Sequence, residues 1–451
     1  MAIEGLFAPV TARGPASAAV DDQAWLEALL EVEVALVRAL ARCGLAPSEA
    51  AEGVADAAQP DRFDTAALGL SSAAGGNPVI PLVKELSARI APNHAAHVHR
   101  GATSQDVLDT AAMLVLRRAL VALDHDLAQA GERLAQLARE HRVTPTVGRT
   151  LLQHAAPTTF GAKAAFHLHG LTRARATVQQ ILEGSLAAQL GGPVGTLATF
   201  GSHGTAVLTA FADELDLVEP QVTWHTERTR MADIAGALGM VAAVLGKIAG
   251  DLVLLAQSEV GEVSERAIGA QGGSSSLPHK RNPVASVAAR AAALRAPGLV
   301  ATILSATADH EHERAAGAWH AEWMPVRDLV VAVGTAAAWL RQALEGLEVS
   351  PQRMRANLEQ QGGLLLSQRV SDALADRLGR DEAHQRVRAT ILSAAESQRA
   401  VRDALLDDPV IAEVLEPQEL DTLLNPSTFI GSAEELIDRA LTAWEQLHDA
   451  G

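Results

Sequence analysis

The chain contains one cysteine, no tyrosine, four lysines and no excess of positive charge. A lone Cys43 cannot close an internal disulfide, so no oxidised framework supports the fold. Nothing around it reads as a catalytic thiol, and it is read as a structural residue. The net charge of −17 lacks the basic excess that a nucleic-acid surface needs, although a locally basic pocket is compatible with it. The start, MAIEGLFAPVTARGPA, has no basic segment followed by an apolar run, so no signal peptide is read and the cytoplasm is the expected compartment. A charge-free apolar run of membrane-spanning length is also missing. The most apolar stretch, Asp233 to Glu259, contains Lys247 and Asp251, and its Gly and Ala positions suit close helix packing, so no membrane span is expected. The four lysines stand against 33 arginines, a bias that genome composition explains. Lys280 nevertheless stands out, because it sits in an unusual loop.

What is present is enough apolar material for a large core: 48% hydrophobic and 20% charged residues exclude a disordered chain. At roughly 150 residues per domain, 451 residues suggest three domains. Ala, Leu, Arg and Glu dominate and strand-like alternation is scarce, so the expected fold class is all-α. The clearest helix has apolar positions Ile234, Leu238, Val241, Leu245, Ile248, Leu252 and Leu255, the alternating four-and-three spacing of a bundle seam. Further long helices are expected over 111–142, 158–183, 284–308 and 325–347, making an extended helical bundle. Shorter helices precede it and follow Ser350-Pro351. The expected division is 1–110, 111–350 and 351–451. Ser432 followed by Glu435 has the spacing of a capping box opening the last helix.

Three polar islands interrupt the helices: HVHRGATSQDVLDT (97–110), GRTLLQHAAPTTFG (148–161) and GAQGGSSSLPHKRNP (269–283). Each precedes a long helix and can offer donors near a helix N-terminus, where anions bind well. Thr, Ser, Gln, Asn and Lys donors suit carboxylates. Thr103, Ser104 and Asp106 taken alone read better as helix caps, a reading that three such islands together make less satisfactory. Other templates fail. The third island has no G-x-S-x-G elbow, and Lys280 lies six residues after Ser274 rather than three. No phosphate-cradling G-x-x-x-x-G-K-[ST] occurs. A fourth cluster, DHEHERAAGAWHAEW, groups His310, His312, Glu313, Arg314 and His320 but lacks H-E-x-x-H, and it reads as a polar pocket wall rather than a metal site.

GGSSSLPHKRNP resembles the signature loop of the fumarase/aspartase superfamily, G-S-S-x-M-P-x-K-x-N-P. Gly273, Ser274, Ser275, Pro278, Lys280, Asn282 and Pro283 match, and Leu277 replaces the usual methionine. GATSQDVLDT and RTLLQHAAPTTFG resemble the two other signature regions, in the right order. The similarity runs from about Leu6 to the C-terminus. Within the superfamily, GGNPVIPLV, VHRGATSQDVLDTA, GGPVGTLA and LGKIAGDLVLLAQSEVGEV look most like the lactonizing cycloisomerases that act on 3-carboxy-cis,cis-muconate.

This resemblance implies a three-domain all-α subunit with a long central helix bundle, a homotetramer, and active sites built from three islands of three different chains. By position, Ser274 matches the family's catalytic base, and Lys280 and Asn282 match its carboxylate binders. The implied chemistry passes through an aci-carboxylate, whose extra charge glycine N–H groups and a cation can hold. Serine is a poor base in water and needs anion-stabilising surroundings, which Gly272, Gly273 and Lys280 supply on this reading. Lyases of the superfamily that expel an amine or hydroxide carry a histidine in R-T-H-x-Q; here Leu151 stands in its place. A departing carboxylate needs no proton, since its acid has a pKa of about 4. The missing histidine therefore fits lactonization, and fits equally an elimination with an anionic leaving group such as nitrite. It disfavours adenylosuccinate- or argininosuccinate-like chemistry. His154 remains open as a displaced acid, a substrate hydrogen-bonder or a packed residue. The substrate class is a small polycarboxylate, for which His99, Arg100, Thr103, Ser104, Gln153, His154, Thr158, Ser275 and Arg314 are the candidate binders. Arg281 reads either as a further binder or as half of a structural ion pair. No cofactor and no metal are expected.

Overall fold

A computed structural model describes residues 5–266, 272, 273, 277, 280–360 and 363–449. It is a helical protein whose main helices are α1 (Asp22–Arg42), α2 (Ser104–Glu140), α3 (Phe160–Gly184), α4 (Thr229–Leu255), α5 (Val284–Ala293), α6 (Ala296–Thr307), α7 (Ala318–Glu345) and α8 (Ala433–Asp449). Two small antiparallel pairs accompany them. Pro145–Thr150 (β1) pairs with Gln153–Thr159 (β2), and Val263–Glu265 (β3) pairs with Leu347–Val349 (β4).

The chain forms two compact units, each assembled from three separated segments: Met1–Gln129, Arg173–Ala249 and Ala285–Gln342 in one, Ala130–Thr172, Gly250–Val284 and Ala343–Gly451 in the other. Helices α2, α3, α4, α5 and α7 contribute residues to both. In the first unit, α1 opens on Asp21, whose side chain accepts the Ala24 N–H at 2.8 Å. Such a cap stabilises a helix by about 1 kcal/mol. α1 buries Leu29, Leu30, Leu36, Val37 and Leu40 and contacts Gly204–Glu214 and Ser48–Ala57. Each fully buried leucine contributes about 2 kcal/mol. One charged residue, Glu33, lies on this buried face with none of its surface exposed. The second unit has its own apolar cluster, centred on Val370, Leu374, Val387, Leu405, Ile411 and Leu420. It also seats Trp444 of α8 against Gly131 of α2.

The bundle seam stands as its spacing implies over six of its seven positions: Ile234, Leu238, Val241, Leu245, Ile248 and Leu252 are buried, and Leu255 at its end is half-buried. Three boundaries differ from expectation. The stretch over 284–308 is two helices, parted after Ala293 where Pro297 falls in the first turn of the second. Proline lacks an N–H and is tolerated there but not mid-helix. By contrast α7 begins at Ala318 and carries Pro325 inside it, because Trp319 and Glu322 have buried partners that hold the first turns. The second island, read as a break before a helix, is a β-hairpin. The stretches Thr229–Ala256 and Val284–Thr307 are long and apolar enough to cross a membrane, and only 39% and 28% of their apolar windows are buried within this chain. Asp251 of the first lies beside the ring of His167, at 3.4 Å.

Candidate active site

The first island opens α2. Thr103 precedes the first helical residue, and its N–H donates to Asp106 Oδ2 at 2.9 Å, half of a capping box. Capping is only part of what Asp106 does. Its oxygens also accept the N–H groups of Gly191 and Gly192, each at 2.9 Å, and lie 2.6 Å from His225 Nε2. This buried carboxylate thus ties three loops together. Gly191 is required: a Cβ there would stand 2.7 Å from the His225 ring.

One turn further, Asp109 accepts from Gln105 Nε2 (3.1 Å), Trp319 Nε1 (3.0 Å) and both terminal nitrogens of Arg228 (2.7 and 3.2 Å). Arg228 also binds Glu322. Burial, joined by the charge of Asp109, pushes the Glu322 carboxyl up to about 7 against the pull of Arg228. His310 Nε2 lies 3.9 Å from Glu322, and burial, with Arg228, keeps its ring below the usual histidine range.

Arg314 donates to the carbonyls of Pro193 (2.9 Å) and Gly192 (3.4 Å) and to Gln105 Oε1 (3.4 Å), fastening the fourth cluster to the loop after residue 190. The His312 carbonyl accepts from Thr226, and His320 meets the Gly76 carbonyl at 3.2 Å. This is the wall of a polar region. Among the described residues no group of three or more His, Cys, Asp or Glu side chains is disposed to hold a metal.

His99 is bound to Glu33 twice, through its N–H (3.0 Å) and its ring Nδ1 (2.7 Å). Burial alone would lower its pKa, but the Glu33 hydrogen bond and charge, with Asp106, outweigh it and raise it above the ordinary value. Arg100 turns away, donating to the Leu45 carbonyl at 2.6 Å.

The second island is a hairpin with a two-residue turn: Thr150 pairs with Gln153, and Leu151 and Leu152 connect them. Both leucines are left-handed, at φ 50° and 63°. They are 96% and 71% exposed. That backbone is a type I′ turn, which favours Asn-Gly. Below the turn the stem is firmly anchored. Arg149 binds Glu262 through two nitrogens (2.7 and 3.1 Å), and the same buried carboxylate accepts from Asn357 (2.8 Å) and Thr146 (3.1 Å). Burial pushes the Glu262 carboxyl up, but these donors outweigh it and hold it below the usual range. His154 is half-buried. Burial and the charge of Arg149 lower its pKa, so its ring is neutral at pH 7. Gln153 is exposed and Thr158 half-buried.

In the third island Ser274 and Ser275 lie outside the described residues. Gly272 takes φ 80° and its carbonyl accepts the Asn282 N–H at 2.9 Å; the Lys280 N–H donates to Leu277 at 3.0 Å. Lys280 is exposed and Asn282 half-buried. Arg281 stands 3.6 Å from Glu348, both largely exposed, which is the structural ion pair of the two readings left open. The candidates thus fall into two sets. His99, Arg100, Thr103, Ser104 and Arg314 belong to the first unit; Gln153, His154, Thr158, Lys280 and Asn282 belong to the second. Five of the seven described non-glycine residues with positive φ (His99, Leu151, Leu152, Leu197 and His312) sit in the polar islands or the loops bound to them. Backbone strain gathers at functional sites.

Residues 6–298 match the family model described as Lyase, and residues 363–440 that described as Adenylosuccinate lyase C-terminus. The chain belongs to the fumarase/aspartase superfamily. It is 44% identical to the nitrosuccinate lyase of Streptomyces davaonensis, over 97% of this chain and 94% of that protein. It is 42% identical to the 3-carboxy-cis,cis-muconate cycloisomerase of Bradyrhizobium diazoefficiens, over 99% of each. The solved 3-carboxy-cis,cis-muconate lactonizing enzyme of Pseudomonas putida superposes with a TM-score of 0.93 at 40% identity, over 99% of this chain and 100% of that one. The protein is therefore an enzyme with the superfamily's helical fold.

Sequence reading missed the residues that hold the superfamily's islands in place: Glu33, Asp109, His225, Arg228, Glu262, Glu322 and Asn357. A signal existed for two groups of them. Glu33 is a carboxylate on an otherwise apolar helix face, and His225 and Arg228 form the polar cluster WHTERTR before α4.

Proposed function

We propose that this enzyme is a cycloisomerase that converts 3-carboxy-cis,cis-muconate to a carboxymuconolactone. One substrate carboxylate adds to the diene, forming the ring C–O bond. The electron pair moves onto the neighbouring carboxyl as an aci-carboxylate, and a proton taken up from solvent is delivered to the adjacent carbon, returning that group to an ordinary carboxylate. The tricarboxylate thus becomes a dicarboxylate lactone with uptake of one proton, an isomerisation of the acid forms. The single observation that carries this reading is Leu151, which stands at the turn where an amine- or hydroxide-expelling lyase of the superfamily has histidine. A carboxylate leaving group in the reverse direction needs no such acid. The neutral ring of His154 next along the hairpin makes it a hydrogen-bond partner rather than a cation for substrate. Ser274 serves as the proton-transfer residue, and Lys280 and Asn282 as carboxylate binders. His99, Arg100, Thr103, Ser104, Gln153, Thr158, Ser275 and Arg314 complete the pocket for a polycarboxylate.

The assembly proposed is a homotetramer with shared active sites and a three-domain subunit divided near residues 110 and 350. The incompletely buried apolar helices over 229–256 and 284–307 support it, since Leu254, Val287, Leu294 and Leu304 present apolar surface for other copies to cover. A second reading, elimination of nitrite from a nitrosuccinate-type substrate, is favoured by the 44% identity to nitrosuccinate lyase and is equally indifferent to the missing histidine.

The deciding experiment offers the protein 3-carboxy-cis,cis-muconate, following loss of diene absorbance, and in parallel nitrosuccinate, following nitrite. Turnover of the diene is expected; nitrite release without it would overturn the first reading in favour of the second. Ser274→Ala is expected to lose nearly all activity while staying tetrameric. A variant retaining most of its rate would refute the proton-transfer role.

A further inference from the structure

Glu33 is a carboxylate with no exposed surface, on a helix face otherwise made of Leu29, Leu30, Leu36 and Val37. Burying such a group is costly unless its oxygens are matched by donors. Among the described residues its hydrogen bonds go to one residue. Oε2 accepts the His99 N–H at 3.0 Å and Oε1 meets His99 Nδ1 at 2.7 Å. The first bond holds His99 in a left-handed conformation, at φ 55°, that a residue with a side chain rarely adopts. The second fixes the tautomer: Nδ1 must carry a hydrogen to donate to Oε1. What remains of the ring is Nε2. The side chain keeps 22% of its surface open, and no described residue hydrogen-bonds to Nε2. Packing thus spends a buried charge, a strained backbone and a defined ring orientation on presenting one nitrogen outward.

We propose that Glu33 is a positioning residue for the reaction, clamping His99 so that Nε2–H is offered as a charged donor to a substrate carboxylate. The proposal rests on the reading of the first island as a substrate-binding segment. The groups that face His99 are Glu33 from α1 and Asp106 from α2, both of which stabilise the imidazolium. The neighbours in its own loop are Arg100, engaged with the Leu45 carbonyl, and His97, 3.4 Å from the Arg100 guanidinium. The raised folded-state pKa of His99 means that its cation persists to higher pH than in a free histidine and is lost as pH rises through that value.

Glu33→Gln is the informative variant. It keeps the shape and can still accept the His99 N–H, but it puts an amide in place of the charge. His99 then loses its proton at lower pH. The expected kcat/KM is close to that of the wild type near pH 6 and falls about tenfold or more by pH 8, since one unit of displacement in a pKa is tenfold in the charged fraction. Glu33→Gln/His99→Gln is expected to be no worse than His99→Gln alone, because Glu33 acts only through His99. A uniform loss at all pH values, or additive losses, would mean that Glu33 is merely structural and would overturn the proposal.

A readout that needs no substrate separates this test from that of the proposed function. The rate of carbethoxylation of His99 by diethyl pyrocarbonate, localised by mass spectrometry, follows its neutral fraction. Its midpoint should move to lower pH in Glu33→Gln, with His97 unchanged. An unmoved His99 midpoint refutes the clamp even if turnover is never found. Should Glu33→Gln fail to fold, Glu33→Asp shortens the reach while keeping the charge, and it should weaken the bond to Nδ1 and move the midpoint the same way.

Discussion

The turn of the second island pairs the wrong residues with its backbone. Leu151 and Leu152 both hold left-handed φ values, Leu151 is almost wholly exposed and Leu152 largely so, and little of the strain or exposure is offset by packing in the chain. A left-handed residue with a side chain costs about 1–2 kcal/mol. Replacing the pair by Asn-Gly, the type I′ preference, removes both costs and returns about 0.5–1 kcal/mol through the greater freedom of glycine in the unfolded chain. The double variant Leu151→Asn/Leu152→Gly should therefore gain about 1–3 kcal/mol in the stability of the hairpin's unit. The stem is unaffected, since Arg149, Glu262, Thr146 and Asn357 lie below the turn. Differential scanning at fixed protein concentration, with the oligomer checked in parallel, should show Tm rising by a few degrees. The apolar tip is a poor choice for stability, which implies a use, and the variant is expected to lose about tenfold or more in kcat/KM, the worth of a lost apolar contact at a reacting centre. A Tm that falls would refute the reasoning, because it would show the leucines to be packed rather than exposed. A raised Tm with full activity would leave the strain argument standing and refute the functional one.

Two further outcomes test the scaffold. Glu262→Ala leaves the Arg149 guanidinium without its partner and should cost about 3–5 kcal/mol at pH 7 by denaturant titration. Because the Glu262 carboxyl is held below its usual range, the stability it contributes is complete above about pH 4.3, the unfolded value, and is lost as pH falls through the folded one. The isosteric Glu262→Gln should accordingly flatten the acid limb of the stability curve, and an unchanged acid limb would contradict the assignment. Gly131→Ala would drive a methyl group into the buried ring of Trp444 and should destabilise the second unit by about 1–3 kcal/mol, read as a lower Tm.

Much of the fold was legible because helices write their burial into the spacing of apolar residues. The seam from Ile234 to Leu252 needed no structure to be seen, nor did the helix start at Val284, whereas the helix expected from 111 begins inside the first island, at Ser104. The hairpin at 145–159 was not legible. Its stability comes from Glu262 and Asn357, more than 100 and 200 positions away in the chain, and Leu-Leu is the opposite of a turn signal. Local preference starts the helix over 318–345 at Pro325, since a proline inside a helix is disfavoured locally and only the buried partners of Trp319 and Glu322 reverse that preference.

The amino-acid sequence by itself determined the helical class and the superfamily, and it singled out the three islands as candidates for chemistry, because spacing and residue type are local properties. Only the tertiary structure decided which buried groups hold those islands in place. Asp109 and Glu262 are indistinguishable in the sequence from surface acids, Asp106 reads there as a helix cap, and Glu33 is marked only by the apolar helix face around it. Each acquires its role when folding removes water and leaves its oxygens to donors from distant segments, and the cost of an unmatched buried charge then fixes the geometry of the loop it holds.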